Sequence, residues 1–122
     1  MVDSHVERAL AAMEREPSRR WTVAALARIA GLSRAPFARR FERSMGTPPL
    51  RYLTELRLRQ AATRLVTSDA RLAEIAIDIG YATEFSFAKA FKRQFGLAPG
   101  LFRKRAWSIA TAFTARAILR AA

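Results

Sequence analysis

The chain repeats itself. The stretch "VAALARIAG" at 23–31 aligns with "LAEIAIDIG" at 72–80 at an offset of 49, and "FARRFERSMGTPP" at 37–49 aligns with "FAKAFKRQFGLAP" at 87–99 at an offset of 50. Ala24, Ala27 and Gly31 match Ala73, Ala76 and Gly80. Phe37, Phe41, Gly46 and Pro49 match Phe87, Phe91, Gly96 and Pro99. One residue gained in the second turn accounts for the change of offset. Each copy reads as a short helix, a glycine turn and a longer helix, the helix-turn-helix pattern. No segment carries a convincing period-2 strand signal, so the repeat predicts an all-α fold of two such subdomains joined by a long central helix.

Local signals along the chain agree. Asp3 or Ser4 can cap a first helix running to about Glu16, with Val6, Leu10 and Met13 spaced by three or four. Pro17 ends it. Thr22 can cap the short helix before Gly31, a residue suited to the left-handed position that closes a helix. Ser33 is expected to cap the next, Arg34 to Met45, with Pro36 in a first turn where a missing N–H costs little. The longest helix is predicted from Pro49 to about Ser68, burying Tyr52, Leu53, Leu56, Ala61 and Leu65. Arg51–Glu55 and Glu55–Arg59 support it as i,i+4 pairs. In the second copy Thr83 is expected to cap a helix from Glu84 to Phe95, closed by Gly96.

The expected organisation is a first helix-turn-helix subdomain over 1–47, a connecting helix over 48–68, a second subdomain over 69–103 and a C-terminal extension over 104–122. The extension reads either as an extra helix packing Trp107, Phe113 and Ile118 on the bundle or as a disordered tail.

Charge narrows the function. The 22 Lys and Arg against 10 Asp and Glu give a formal net charge of +12, and 19 of the cations are Arg. Guanidinium groups suit bidentate contact with phosphates and guanine edges, so a polyanion ranks first as partner. RNA or ribosome association and an anionic membrane surface are the alternatives. The chain has no Cys and only one His, which leaves no disulfide framework and no thiolate zinc site. His5 itself is expected in a fraying, solvated first turn. Without a Gly-rich phosphate loop or metal-ligand spacing, the inventory predicts no enzyme, no metal and no cofactor. No run approaches the roughly 18–20 apolar residues of a membrane span, and no signal-peptide pattern opens the chain. The expected location is the cytoplasm, on the nucleoid.

Helical periodicity sorts the two longer helices into faces. Phe37, Phe41 and Met45 share one side of the first, as Phe87, Phe91 and Phe95 do in the second, and both stripes read as core. The first helix then turns Ala35, Arg39, Glu42 and Arg43 outward; the second turns out Phe85, Lys89, Lys92 and Arg93. A recognition helix presents its N-terminal residues to base edges. The candidate base contacts are therefore Arg34, Ala35, Ala38 and Arg39, and Glu84, Phe85, Ala88 and Lys89. Ser33, Arg43, Thr83, Lys92 and Arg93 are candidates for phosphate contact or capping. Arg39 suits guanine; Phe85 suits a thymine methyl, or else packs against the Tyr81 side of its own turn. The long helix, at ~1.5 Å per residue, spans roughly 30 Å, close to the ~34 Å between successive major grooves.

These residues bear a family resemblance. "IGYATEFSFAKAFKRQFGLAPGLFR" at 79–103 is similar to the signature of the AraC/XylS family of bacterial transcription regulators: Gly80, Tyr81, Phe87, Phe91-Lys92, Phe95-Gly96, Pro99 and Phe102-Arg103. "LARIAGLSRAPFARRFERSMGTPPLRYL" resembles the family's first unit, and Arg57-Leu58 with Ala61 its connecting helix. The resemblance spans about Val6 to Arg103. It implies about seven helices, double-stranded DNA bound through two recognition helices in adjacent major grooves, and regulation through contact with RNA polymerase. Arg71 departs from the pattern, standing where the family usually has a Ser or Thr cap, and Phe85 is unusually apolar for an outward position. Many relatives carry a separate effector-binding or dimerisation domain, and none is expected within these 122 residues.

Overall fold

The computed structural model describes residues 3–121; Met1, Val2 and Ala122, at the ends of the first and last expected segments, lie outside the described residues. The described chain is helical throughout: α1 (Ser4–Arg15), α2 (Val23–Ala30), α3 (Arg34–Met45), α4 (Pro49–Thr67), α5 (Leu72–Asp78), α6 (Glu84–Phe95) and α7 (Pro99–Ala121). It divides into two compact units, Met1–Arg57 and Leu58–Ala122. The division falls inside α4, so the helix expected as a separate connector over 48–68 contributes to both cores. Leu53 and Leu56 belong to the first, and Leu58, Ala61 and Leu65 to the second.

The first core joins Val6, Ala9 and Met13 of α1, Leu26, Ala27 and Ala30 of α2 and Phe37 and Phe41 of α3 to the first half of α4. Small buried residues, Ala9 and Ala12 of α1 and Ala27 and Ala30 of α2, leave room for the phenylalanines. Burying each ring is worth about 1.5–3 kcal/mol. Polar groups brace the edges. Asp3 caps α1, accepting from the His5 backbone N–H at 2.9 Å, and also takes an ion pair from Arg40 at 2.7 Å. The backbone N–H of His5 and then the Arg40 guanidinium hold the Asp3 carboxyl below its usual value of 3.8.

His5 is not in the solvated, fraying setting expected of it. It is half-buried, and its Nδ1–H donates to the Ala30 carbonyl at 2.7 Å. Ala30 is the last residue of α2, and a terminal helix carbonyl has no intrahelical partner, so the imidazole supplies one. Arg57 does comparable work for the loop after α1, donating to the carbonyls of Pro17 at 2.6 Å and Arg19 at 2.8 Å.

The second core gathers Leu58, Ala61 and Leu65 of α4, Ile75 and Ala76 of α5, and Phe87 and Phe91 of α6. Phe91 lies at the centre of an aromatic cluster, with ring centroids 5.7 Å from Phe87, 4.6 Å from Phe95 and 5.2 Å from Phe102. Arg71 holds the N-cap position of α5 without a side-chain cap bond, because a guanidinium has no acceptor to offer a backbone N–H. At the far end of α4, Arg103 donates to the Leu65 carbonyl at 2.9 Å and Trp107 to the Val66 carbonyl at 3.0 Å, satisfying acceptors the helix itself leaves open.

Residues 104–121 are neither disordered nor docked as the extension was expected to dock. They continue α7, which starts at Pro99 and runs 23 residues. Trp107 reaches α4, but Phe113 is 72% and Ile118 64% exposed. At ~1.5 Å per residue α7 is roughly 34 Å long, about twice the length of α6, which has 12 residues.

Candidate nucleic-acid interface

The two helix–turn–helix segments are built alike. Gly31 closes α2 with φ 78°, and Leu32 N–H donates back to the Ala27 carbonyl at 3.0 Å. In the second unit Gly80 has φ 103°, and Tyr81 N–H donates to the Ala76 carbonyl at 2.9 Å. Both turns therefore use the same reverse hydrogen bond, which depends on a residue tolerant of left-handed backbone. From Ser33 to Leu50 and from Thr83 to Gly100, buried, half-buried and exposed positions alternate identically except at Ser44 and Gln94. In each, two phenylalanines are wholly buried.

What the buried stripes leave outward is the candidate surface. Arg34, Ala35 and Arg39 are exposed on α3 and Ala38 is half-buried; Glu84, Phe85 and Lys89 are exposed on α6 and Ala88 is half-buried. Arg43, Lys92 and Arg93 are also exposed, one turn farther along. Sequence reasoning placed Phe85 either outward or against Tyr81. Tyr81 packs on Phe87 instead, at 5.9 Å between centroids, and Phe85 is 78% exposed.

The two N-cap residues part company. Thr83 accepts from the Ser86 backbone N–H at 3.0 Å, and the two hydroxyls are bonded to each other at 3.0 Å. Ser33 makes no side-chain cap bond, contrary to expectation. The reason is covalent: the position three residues on, which supplies the N–H in Thr83 and Thr22, is here Pro36, which has none. The Ser33 hydroxyl is left exposed beside Arg34. Sequence reasoning named Pro36 as harmless to the helix but passed over its effect on the cap. It also missed Arg40, which turns away from the outward face to Asp3.

No helix among the described residues is long and apolar enough to cross a membrane, and no group of three or more His, Cys, Asp or Glu among them could hold a metal ion.

A pair of helix-turn-helix units with cationic outward faces defines the class of the chain, and comparison with known proteins defines the family. Residues 26–105 match the family model described as a helix-turn-helix domain. An AraC-like transcription regulator of Streptomyces lividans is 44% identical over 104 residues, 85% of this chain and 34% of that protein. The RCS-specific HTH-type transcriptional activator RclR of Escherichia coli (strain K12) is 47% identical over 94 residues, 77% of this chain and 33% of that one. Among solved structures, the DNA-binding domain of AdpA, a global transcriptional factor seen in complex with a target DNA, aligns with a TM-score of 0.79 and 30% identity, covering 84% of this chain and 93% of that chain. This chain belongs to the AraC-type helix-turn-helix family. It spans about a third of the length of the curated relatives it matches.

Proposed function

We propose that the chain binds specific duplex DNA as part of a bacterial transcription regulator, with α3 and α6 as recognition helices in successive major grooves. The observation that carries this reading is the doubled outward face: two units with matched buried skeletons expose N-terminal helix positions of unlike chemistry. Arg34, Ala35, Ala38 and Arg39 meet base edges in one half-site, and Glu84, Phe85, Ala88 and Lys89 in the other. Small alanines allow close approach, and Arg39 suits bidentate contact with guanine O6 and N7. Ser33, Arg43, Lys92 and Arg93 contact phosphates, with Thr83 acting chiefly as a cap. In line with the family resemblance, regulation runs through RNA polymerase. The cytoplasmic nucleoid is the corresponding location.

Selecting bound duplexes from a random pool tests the reading. The expected result is one enriched sequence, resistant to competition by structured RNA. For about 6–8 phosphate contacts, the log–log salt slope should lie near −5 to −7. Failure to enrich any sequence, or equal competition by RNA, would contradict it.

A further inference from the structure

We propose that Phe85 reads the C5-methyl group of one thymine in the half-site that α6 occupies. The proposal rests on the duplex-binding reading above and goes further by naming a chemical feature of the ligand. Five aromatic rings of the second unit, Tyr81, Phe87, Phe91, Phe95 and Phe102, pack on one another. Phe85 stands apart from them, 78% exposed, in the first turn of α6. The backbone beneath it is held firmly, because Thr83 caps the helix and is bonded to Ser86 on both its hydroxyl and its carbonyl. A large apolar side chain is thus presented to solvent from a rigid helix start.

A phenyl ring neither donates nor accepts a conventional hydrogen bond, so it is blind to the donor and acceptor pattern of base edges. Thymine's C5-methyl is the one apolar group in the major-groove code, and removing it from water together with the ring is favourable. Wedging base steps apart with an apolar side chain is a minor-groove device and does not suit a helix docked in the major groove. The matched position in α3 is Ala35, which can offer a methyl far less apolar surface. The second half-site should therefore depend on a methyl group more strongly than the first.

The test uses the enriched duplex and replaces its thymines one at a time by deoxyuridine, which removes the methyl and leaves the pairing intact. The chain should lose roughly fourfold in affinity at one position, the factor that burial of one methyl-sized group carries. At that position 5-methylcytosine opposite guanine should bind better than cytosine. Phe85→Ala should bind the thymine and uracil duplexes equally with an unchanged melting temperature, while Phe85→Leu keeps part of the difference. A flat uracil scan on an enriched duplex would overturn this proposal and leave duplex binding standing. A uracil effect that persists in Phe85→Ala would assign the methyl to another residue and overturn it too. Absence of any enriched duplex would overturn both.

Discussion

The helices α3 and α6 share a length of 12 residues, a left-handed terminal glycine and a buried pair of phenylalanines, yet their first turns are opposites. In α6 the cap bond is made: Thr83 is bonded to Ser86, and Glu84 puts a negative charge in the first turn, where the helix dipole favours it. In α3 the cap bond is missing, Pro36 removes the amide that would make it, and Arg34 sets a cation at the positive end of the helix. The start of α6 engages its cap hydroxyl on the Ser86 N–H. Both starts leave two first-turn amides open, but α3 adds an uncommitted Ser33 hydroxyl and the Arg34 guanidinium, a combination that favours an anion. The two helices share their buried phenylalanines and differ in their exposed first turns.

The strongest way to break the likeness of the two cores is to remove their central rings. Phe41→Ala and Phe91→Ala should each cost about 3–5 kcal/mol. Phe91 should cost more, since it touches three rings and Phe41 two, Phe37 and Tyr52. Urea unfolding of the two variants checks the order; a larger loss at Phe41 would show that the aromatic cluster adds nothing.

The contrast between the caps is sharpened by Thr83→Ala against Ser33→Ala. The first should lower stability by about 1 kcal/mol and the second hardly at all. In duplex binding the order should reverse, Ser33→Ala weakening affinity a few-fold as a lost phosphate contact would. Thermal melts with binding isotherms separate the two roles, and equal melting losses would erase the distinction.

A gain of similar size is expected at Thr47. Its hydroxyl is buried without a partner, and the matched residue in the second unit is Leu97. Thr47→Val removes the orphaned group and should raise stability by about 1 kcal/mol, read from the urea midpoint.

The smallest effect concerns acid. A carboxyl whose folded value lies below 3.8 stabilises the fold above its unfolded value, and the contribution disappears as pH falls through the folded one. Asp3→Asn keeps a capping side chain but loses this dependence. The stability difference between the parent chain and Asp3→Asn should therefore shrink between neutral pH and pH about 3, as melts at both values would show. A constant difference would mean that the charge at Asp3 does not matter.

Much of the fold was legible because helix periods, glycine turns and phenylalanine stripes are local signals. Spacing alone gives Leu53, Leu56, Ala61 and Leu65 as buried residues of α4; Leu58 and Pro49 are buried too, and Tyr52, expected in that stripe, is half-buried. What was not legible depends on partners distant in sequence. His5 meets Ala30 and Arg40 meets Asp3, contacts that no window along the chain contains. The course of α7 was ambiguous because its apolar residues promised a docking face, and only the folded chain shows that Phe113 and Ile118 stay exposed. On the candidate surface, exposure of the named residues followed from the wheel, while the loss of the Ser33 cap followed from a proline whose missing N–H was weighed for the helix and not for the hydroxyl.

The central claim is that one chain carries two unlike reading helices for one asymmetric site. It is tested most directly by inserting five base pairs between the two halves of the enriched duplex, which turns one major groove through about half a helical turn of ~10–10.5 base pairs. The account predicts one chain per parent duplex and loss of specific binding on the insertion. Undiminished binding to the five-base-pair insertion, or two chains on a palindrome, would contradict it.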